Sequence, residues 1–287
     1  MLIPEKLEWL RRQEQGARWL DRLPRLLDDL TAQWGLVPKG AAFPGGNVSY
    51  VVPVSRGNEG LVLKVQWPHD ECAHEAEALR TWDGDGALRL VEHDAGKHAL
   101  LLEECRPGTY LADAGLADPL GVFIDLLPRL WKPAKEPFRA LSDEAAQWAA
   151  GLPRRWENAG RPCEGRLIDT ALAHIEALRE TQGEQVLVHQ DLHGHNVLAA
   201  AREPWLAIDP KPLRGERAFA LAPILRSPEL GHSAEAIRLR LDRLCGALGL
   251  DRDRALGWAV AQTMAWSFGG RYDSYHHQTV RWLIQCR

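Results

Sequence analysis

"VLVHQDLHGHNVL", residues 186–198, sets three histidines, an aspartate and an asparagine between two apolar runs. His189 and His193 stand four apart, a spacing that puts two imidazoles on one helical face, as in the H-E-x-x-H zinc motif. The β-branched residues on either side argue instead for two strands enclosing a loop. No glutamate follows His189, and no further ligand is evident along the chain. The stretch therefore reads as a loop in which Asp191 and Asn196 carry the chemistry, with His189, His193 and His195 as scaffolding.

The rest of the chain is that of an ordinary soluble globular protein. Its 287 residues are 45% hydrophobic and 26% charged, enough for one large domain or two lobes with a real core. A net charge of −4 gives no electrostatic ground for a nucleic-acid partner. The five cysteines (Cys72, Cys105, Cys163, Cys245 and Cys286) are scattered without a C-x-x-C, which argues against a disulfide framework or a cysteine zinc site. The start, "MLIPEKLEWLRR", lacks the apolar core of a signal peptide. The uncharged stretch at 255–270 is too short and too polar to span a bilayer. A cytoplasmic protein is the expectation; the sequence is silent on oligomeric state.

Working toward the N-terminus, the character changes twice. Leu7, Leu10, Leu20, Leu23, Leu27 and Leu30 recur at helical spacing among charges, predicting two helices broken near Gly16 or Pro24. "NVSYVVPV" (47–54) and "LVLKVQW" (61–67) read as strands around the turn "SRGNEG". "CAHEAEALRTW" (72–82) reads as a helix, followed by strands at 88–93 and 98–104. Beyond "CRPGTY" (105–110) the pattern is helical, with a start at Ser142 capped by its hydroxyl. A further helix has Leu167, Ala171, Ile175 and Leu178 on one face and Gly183 at its end. Only "VLVH", "NVL" and "WLAI" interrupt as strands. The expected organisation is a sheet-rich N-terminal lobe over 1–102, a hinge at 103–109 and a helical lobe over 110–287.

Phosphoryl transfer needs a carboxylate near the acceptor hydroxyl and oxygen ligands for magnesium. Kinase-like loops place Asn five residues after the Asp of H-x-D, which is the spacing of Asp191 and Asn196. Asp209, ending the strand "WLAID", stands where a second metal-binding carboxylate is required. Lys64 sits in an otherwise apolar strand, where an unpaired ammonium is costly. Glu75 in the following helix offers the ion pair, with Glu77 as the alternative; such a pair would hold Lys64 against nucleotide phosphates. Upstream, Gly45, Gly46 and Ser49 lie in a strand–turn–strand whose backbone N–H groups can reach phosphate oxygens. The metal so implied is Mg2+, on Asn196 and Asp209, and the nucleotide is ATP.

Taken with "LVLKVQWPH", "HEAEALRTWDGDGALRL", "ALLLEECRPGT" and "EPWLAIDPKPLRGE", these motifs resemble the aminoglycoside phosphotransferase family, in its streptomycin 6-kinase and hydroxyurea-kinase branch. The resemblance implies an α+β, bilobal protein-kinase-like fold. It implies Asp191 as catalytic base, Asn196 and Asp209 as magnesium ligands, and Lys64 with Glu75 as the phosphate-positioning pair. It also implies the main chain of Glu103, Glu104 and Cys105 as the adenine-binding hinge. The acceptor it implies is a small molecule, an aminoglycoside. For a polycationic acceptor Glu216, Glu229 and Asp273 are candidate contacts.

Two positions depart from the family pattern. Gln190 replaces the glycine of H-G-D, and Ala220 in "GERAFALAPILR" stands where the family carries an Asp that braces the catalytic loop. Alanine accepts no hydrogen bond, so the expectation is a looser loop, slow turnover, and a gain in kcat on Ala220→Asp. Complete loss of transfer would make the protein a nucleotide-binding pseudokinase, the alternative to an active small-molecule kinase.

Overall fold

The computed structural model describes residues 3–44 and 46–286. The chain divides into two compact units, Met1–Gly108 and Thr109–Arg287.

In the first unit a five-stranded antiparallel sheet runs in the order β1-β2-β3-β5-β4. Its strands are β1 (Val37–Pro38), β2 (Ser49–Arg56), β3 (Glu59–Gln66), β4 (Leu90–Asp94) and β5 (Ala99–Glu103). β2 and β3 pair from Ser49↔Gln66 to Arg56↔Glu59. Only Gly57 and Asn58 are left to make the turn, and Gly57 is left-handed with φ 59°, as two-residue hairpin turns require. The strands thus reach further into "SRGNEG" than the composition of that segment suggests.

Alternation fixes the faces of β3. Leu61, Leu63 and Val65 point into a core shared with Tyr50, Val52, Val54 and the apolar stripe of helix α1 (Glu14–Trp34). Lys64 and Gln66 necessarily point the other way. The N-terminal segment departs from the pattern reading. A 3-10 helix, Glu5–Arg12, precedes α1, and the break falls at Gln13, while α1 runs through Pro24. Gly16 lies inside α1 and is needed as glycine there, since a Cβ would meet the Leu10 carbonyl oxygen at 2.4 Å. Helix α2 (Glu75–Trp82) begins three residues later than "CAHEAEALRTW" implied, after a short 3-10 turn at Asp70–Cys72.

The second unit is helical: α3 (Pro119–Leu130), α4 (Leu141–Asn158), α5 (Gly165–Arg179), α6 (Ala222–Arg226), α7 (Ala234–Leu248), α8 (Arg252–Ala265) and α9 (Asp273–Gln285). α8 is apolar almost all round and is its centre, packed on α4, α5, α6, α7 and α9; a helix without a polar face belongs inside. α4 starts at Leu141 with no side-chain cap, so Ser142 lies within it. The nearby Glu144 is buried and pairs with Arg139 at 2.7 Å. α5 ends at Arg179, before Gly183. Two short ladders carry the segment around Asp191: β6 (Val186–Val188) with β9 (Leu213–Gly215), and β7 (Val197–Ala199) with β8 (Trp205–Ala207). No helix among the described residues is long and apolar enough to cross a membrane.

Candidate functional site

In the first unit, the outward face of β3 brings Lys64 and Gln66 onto Glu75 at the N-terminus of α2. Lys64 Nζ donates to both carboxylate oxygens at 2.7 and 2.6 Å, and Gln66 Nε2 donates to Oε2 at 2.6 Å. Both charged side chains are buried. Of the two acids the sequence left open, Glu77 instead faces Arg80 at 3.4 Å. Gln66 escaped the sequence reading, although its place two residues beyond Lys64 puts it on the same strand face. Glu75→Leu is expected to lower unfolding free energy by about 3–5 kcal/mol, because it strips a buried ammonium of this carboxylate. Glu77→Leu, at a partly exposed pair, should cost under about 1 kcal/mol. Urea denaturation compares them, and equal losses would remove the special status of Glu75.

Gly46 sits where a Cβ would meet the Ser49 carbonyl oxygen at 2.2 Å, and Ser49 opens β2. Gly45 lies outside the described residues. At the end of β5, the Glu103 carboxylate accepts the Arg89 N–H at 2.7 Å. Glu104 pairs with Arg106 at 2.5 Å, and Cys105 follows, half-buried.

The second unit holds Asp191, Asn196 and Asp209. β6 leads directly into His189, which is buried and donates from Nε2 to the Ile208 carbonyl at 2.9 Å. Its Nδ1 accepts the Asp191 N–H at 3.4 Å, which fixes the neutral tautomer. Burial pushes its pKa down to about 4, although Asp191 and the Ile208 bond pull the other way. His189 is scaffolding. Ile208 N–H donates to the Asn196 carbonyl, and Lys211 N–H to that of His189, so the Asp191 loop and the Asp209 segment are laced together. Asn196 Nδ2 donates to the Asp191 carbonyl at 2.8 Å, leaving its amide oxygen as the atom suited to a cation. Asp209 is exposed, with φ 54°. An amide oxygen and a carboxylate are the donors Mg2+ takes, and these two residues fit it.

The Asp191 carboxylate meets two cations that the sequence reading missed: Arg226 at 2.8 Å and Lys211 at 3.1 Å. Both cations lie over the Trp266 ring, at 4.3 and 4.8 Å from its centre. Burial pushes the Asp191 pKa up, but Lys211 and Arg226, with His193, outweigh it and hold the group below its ordinary 3.8. Asp191 is thus an anion at neutral pH. Arg226 also donates to Gln262 Oε1 at 2.8 Å, and Gln262 Nε2 donates to the Gln190 carbonyl at 2.8 Å. Ala220 is buried in a 3-10 turn between Phe219 and Leu221. The position after His189 does need a left-handed residue: Gln190 has φ 63°, and both polar atoms of its side chain are buried without a partner. The conformation costs an L-residue about 1–2 kcal/mol. Gln190→Gly is therefore expected to raise the thermal midpoint, and a lower midpoint would refute this account of strain.

The three acids offered for an acceptor sit in different surroundings. Glu216 is buried, takes Arg254 in a bidentate pair at 2.6 and 2.7 Å, and accepts from Trp258 Nε1. Asp273 accepts the N–H groups of Gly269 and Gly270 at 2.7 and 3.1 Å. Glu229 accepts the Gly194 N–H at 3.0 Å and lies 3.5 Å from His193 Nδ1. Glu229 is thereby joined to the loop of Asp191.

Comparison with known proteins gives the chain its relatives. A family model described as aminoglycoside/hydroxyurea antibiotic resistance kinase matches residues 33–268. A streptomycin 6-kinase of Streptomyces glaucescens is 38% identical over 259 residues, 88% of this chain and 84% of its own. A hydroxyurea phosphotransferase of Kitasatospora aureofaciens is 40% identical over 260 residues, 87% of this chain and 73% of its own. Among solved structures, a thermostable mutant of aminoglycoside phosphotransferase APH(4)-Ia with AMP-PNP and hygromycin B gives a TM-score of 0.69. That match is 14% identical and covers 90% of this chain and 97% of that one. At such identity the likeness speaks to the fold, which is the α+β, protein-kinase-like one expected from the sequence.

Proposed function

This chain belongs to the aminoglycoside/hydroxyurea antibiotic resistance kinase family, and from that premise we propose that it transfers the γ-phosphate of ATP, with Mg2+, to a hydroxyl of a streptomycin-type aminoglycoside. The observation that carries the reading is the Asn196 Nδ2 bond to the Asp191 carbonyl, next to a carboxylate kept ionised by Arg226 and Lys211.

Asp191 accepts the proton of the acceptor hydroxyl as the oxygen attacks phosphorus; the bridging P–O bond breaks and ADP leaves. Lys64, held by Glu75 and Gln66, engages the nucleotide phosphates. The N–H groups of the segment from Gly46 to Ser49 and the main chain of Glu103 to Cys105 take the rest of the nucleotide. Asn196 and Asp209 would hold Mg2+, which neutralises charge on the phosphoryl oxygens. Glu216 is committed to Arg254, Asp273 to the 269–270 turn, and Glu229 to the Gly194 N–H and the two histidines beside it, so none of the three is assigned to the acceptor.

The acceptor assignment rests on the named relatives. Streptomycin is expected to stimulate Mg2+-dependent ADP release more than kanamycin does, and a coupled assay reads the difference. Equal inactivity with both, alongside normal nucleotide binding, would overturn the acceptor and turn the search to other hydroxyl compounds.

A further inference from the structure

The fold joins residues that the sequence keeps far apart. His193 and His195 flank Gly194 in the catalytic loop, and Glu229 arrives on a 3-10 turn, Pro228–Leu230, after α6. Glu229 Oε1 lies 3.5 Å from His193 Nδ1 and 3.9 Å from His195 Nδ1. One ligating atom from each of the three residues lies within 4.8 Å of the others. Bonds of about 2.0–2.1 Å from a tetrahedral zinc-class ion to nitrogen and oxygen put neighbouring donors roughly 3.4 Å apart. The two measured separations lie close to that edge before any ion draws the side chains in.

We propose that His193, His195 and Glu229 form a binding site for a zinc-class divalent cation, distinct from the magnesium ligands Asn196 and Asp209. Two imidazoles and a carboxylate are borderline donors that select this class, whereas Mg2+ seeks oxygen. The surroundings suit the role. His193 Nδ1 accepts the His195 N–H at 3.2 Å, a bond that the ion would replace, and its Nε2 lies 3.9 Å from Asp191 Oδ1, close in charge but beyond a hydrogen bond. Glu229 is held at the site by the Gly194 N–H. His195 is exposed, so an ion can enter from solvent and water can fill its remaining positions. An ion bound here would sit one imidazole away from Asp191 and add its charge to that of Arg226 and Lys211 around that carboxylate.

The test needs no turnover, so its failure is separate from failure of the phosphotransferase reading. Untagged full-length protein is titrated with Co2+ in Mg2+-free buffer, and the visible d–d absorption is followed. One equivalent is expected to bind with the intensified spectrum of a low-coordinate nitrogen–oxygen site, and Zn2+ should bleach it. His195→Ala, at an exposed position, should weaken binding at least about tenfold, since loss of even an outer-shell partner of a metal costs that much. Glu229→Gln keeps an oxygen for Gly194 but removes the anion, and should weaken binding too. Asp209→Asn should leave the spectrum intact. A spectrum no different from the hydrated ion, or one that survives His195→Ala, or one that vanishes in Asp209→Asn, would overturn the site.

Discussion

Replacing Asp191 by asparagine is expected to lower phosphoryl transfer about 10²–10⁴-fold, the usual worth of a positioned general base, while nucleotide affinity is kept. Asparagine has nearly the same shape, so the loop's bond from Asn196 to the residue-191 carbonyl survives the change. What disappears is the anion that can receive a proton. The two cations around that position make the test demanding, because Arg226 and Lys211 would then face a neutral amide. A folding control by thermal melting therefore accompanies the kinetics. If the folded variant binds nucleotide and turns over at the wild-type rate, Asp191 is not the base.

The contacts that the sequence made legible are those fixed by local period. Alternation along β3 turned Lys64 away from the Leu63 and Val65 core, and one helical turn of α2 sufficed to bring it a carboxylate. The short strands on either side of the Asp191 loop were equally readable, because valine and leucine runs bounded by polar residues have few other uses. Helix boundaries were less so. Pro24 did not interrupt α1, and Ser142 did not cap α4; in each case burial of an apolar stripe outweighs one backbone bond or one cap. Least legible were the partners of Asp191. Arg226 lies 35 residues away in sequence, at the end of an apolar run, and Gln262 lies in the last turn of the most buried helix. Nothing in a one-dimensional pattern marks such residues, since their meaning arises only when α6 and α8 pack. Glu229 was named from its charge alone, and its company of two histidines is likewise a product of packing.

That same packing changes what is expected of Ala220. The family pattern implies a loop loosened by the missing carboxylate, and a gain in kcat on restoring it. In the structure the loop has other supports: Gln262 holds the Gln190 carbonyl, His189 receives the Asp191 N–H, and Glu229 receives the Gly194 N–H. Arg226 then ties Gln262 to the Asp191 carboxylate itself. A carboxylate at position 220 would be buried beside Phe219 and Leu221, where an ion lacking a partner is costly. Ala220→Asp is therefore expected to destabilise the protein without raising kcat. Gln262→Ala should instead lower kcat about a hundredfold, the scale set by small misplacements of a reacting group. It should also cost about 1–3 kcal/mol of stability through the buried groups it leaves. The pH profile separates positioning from charge. Asp191 titrates below its ordinary 3.8, so activity should persist on acidification until pH falls through that lowered value. Arg226→Gln removes one of the cations holding it there, so the Asp191 pKa rises and activity is lost at a higher pH. Gln262→Ala leaves both cations, so its acidic limb should stay in place while the plateau drops. A higher kcat in Ala220→Asp, or an unchanged plateau in Gln262→Ala, would mean that the loop is not braced through Arg226 and Gln262.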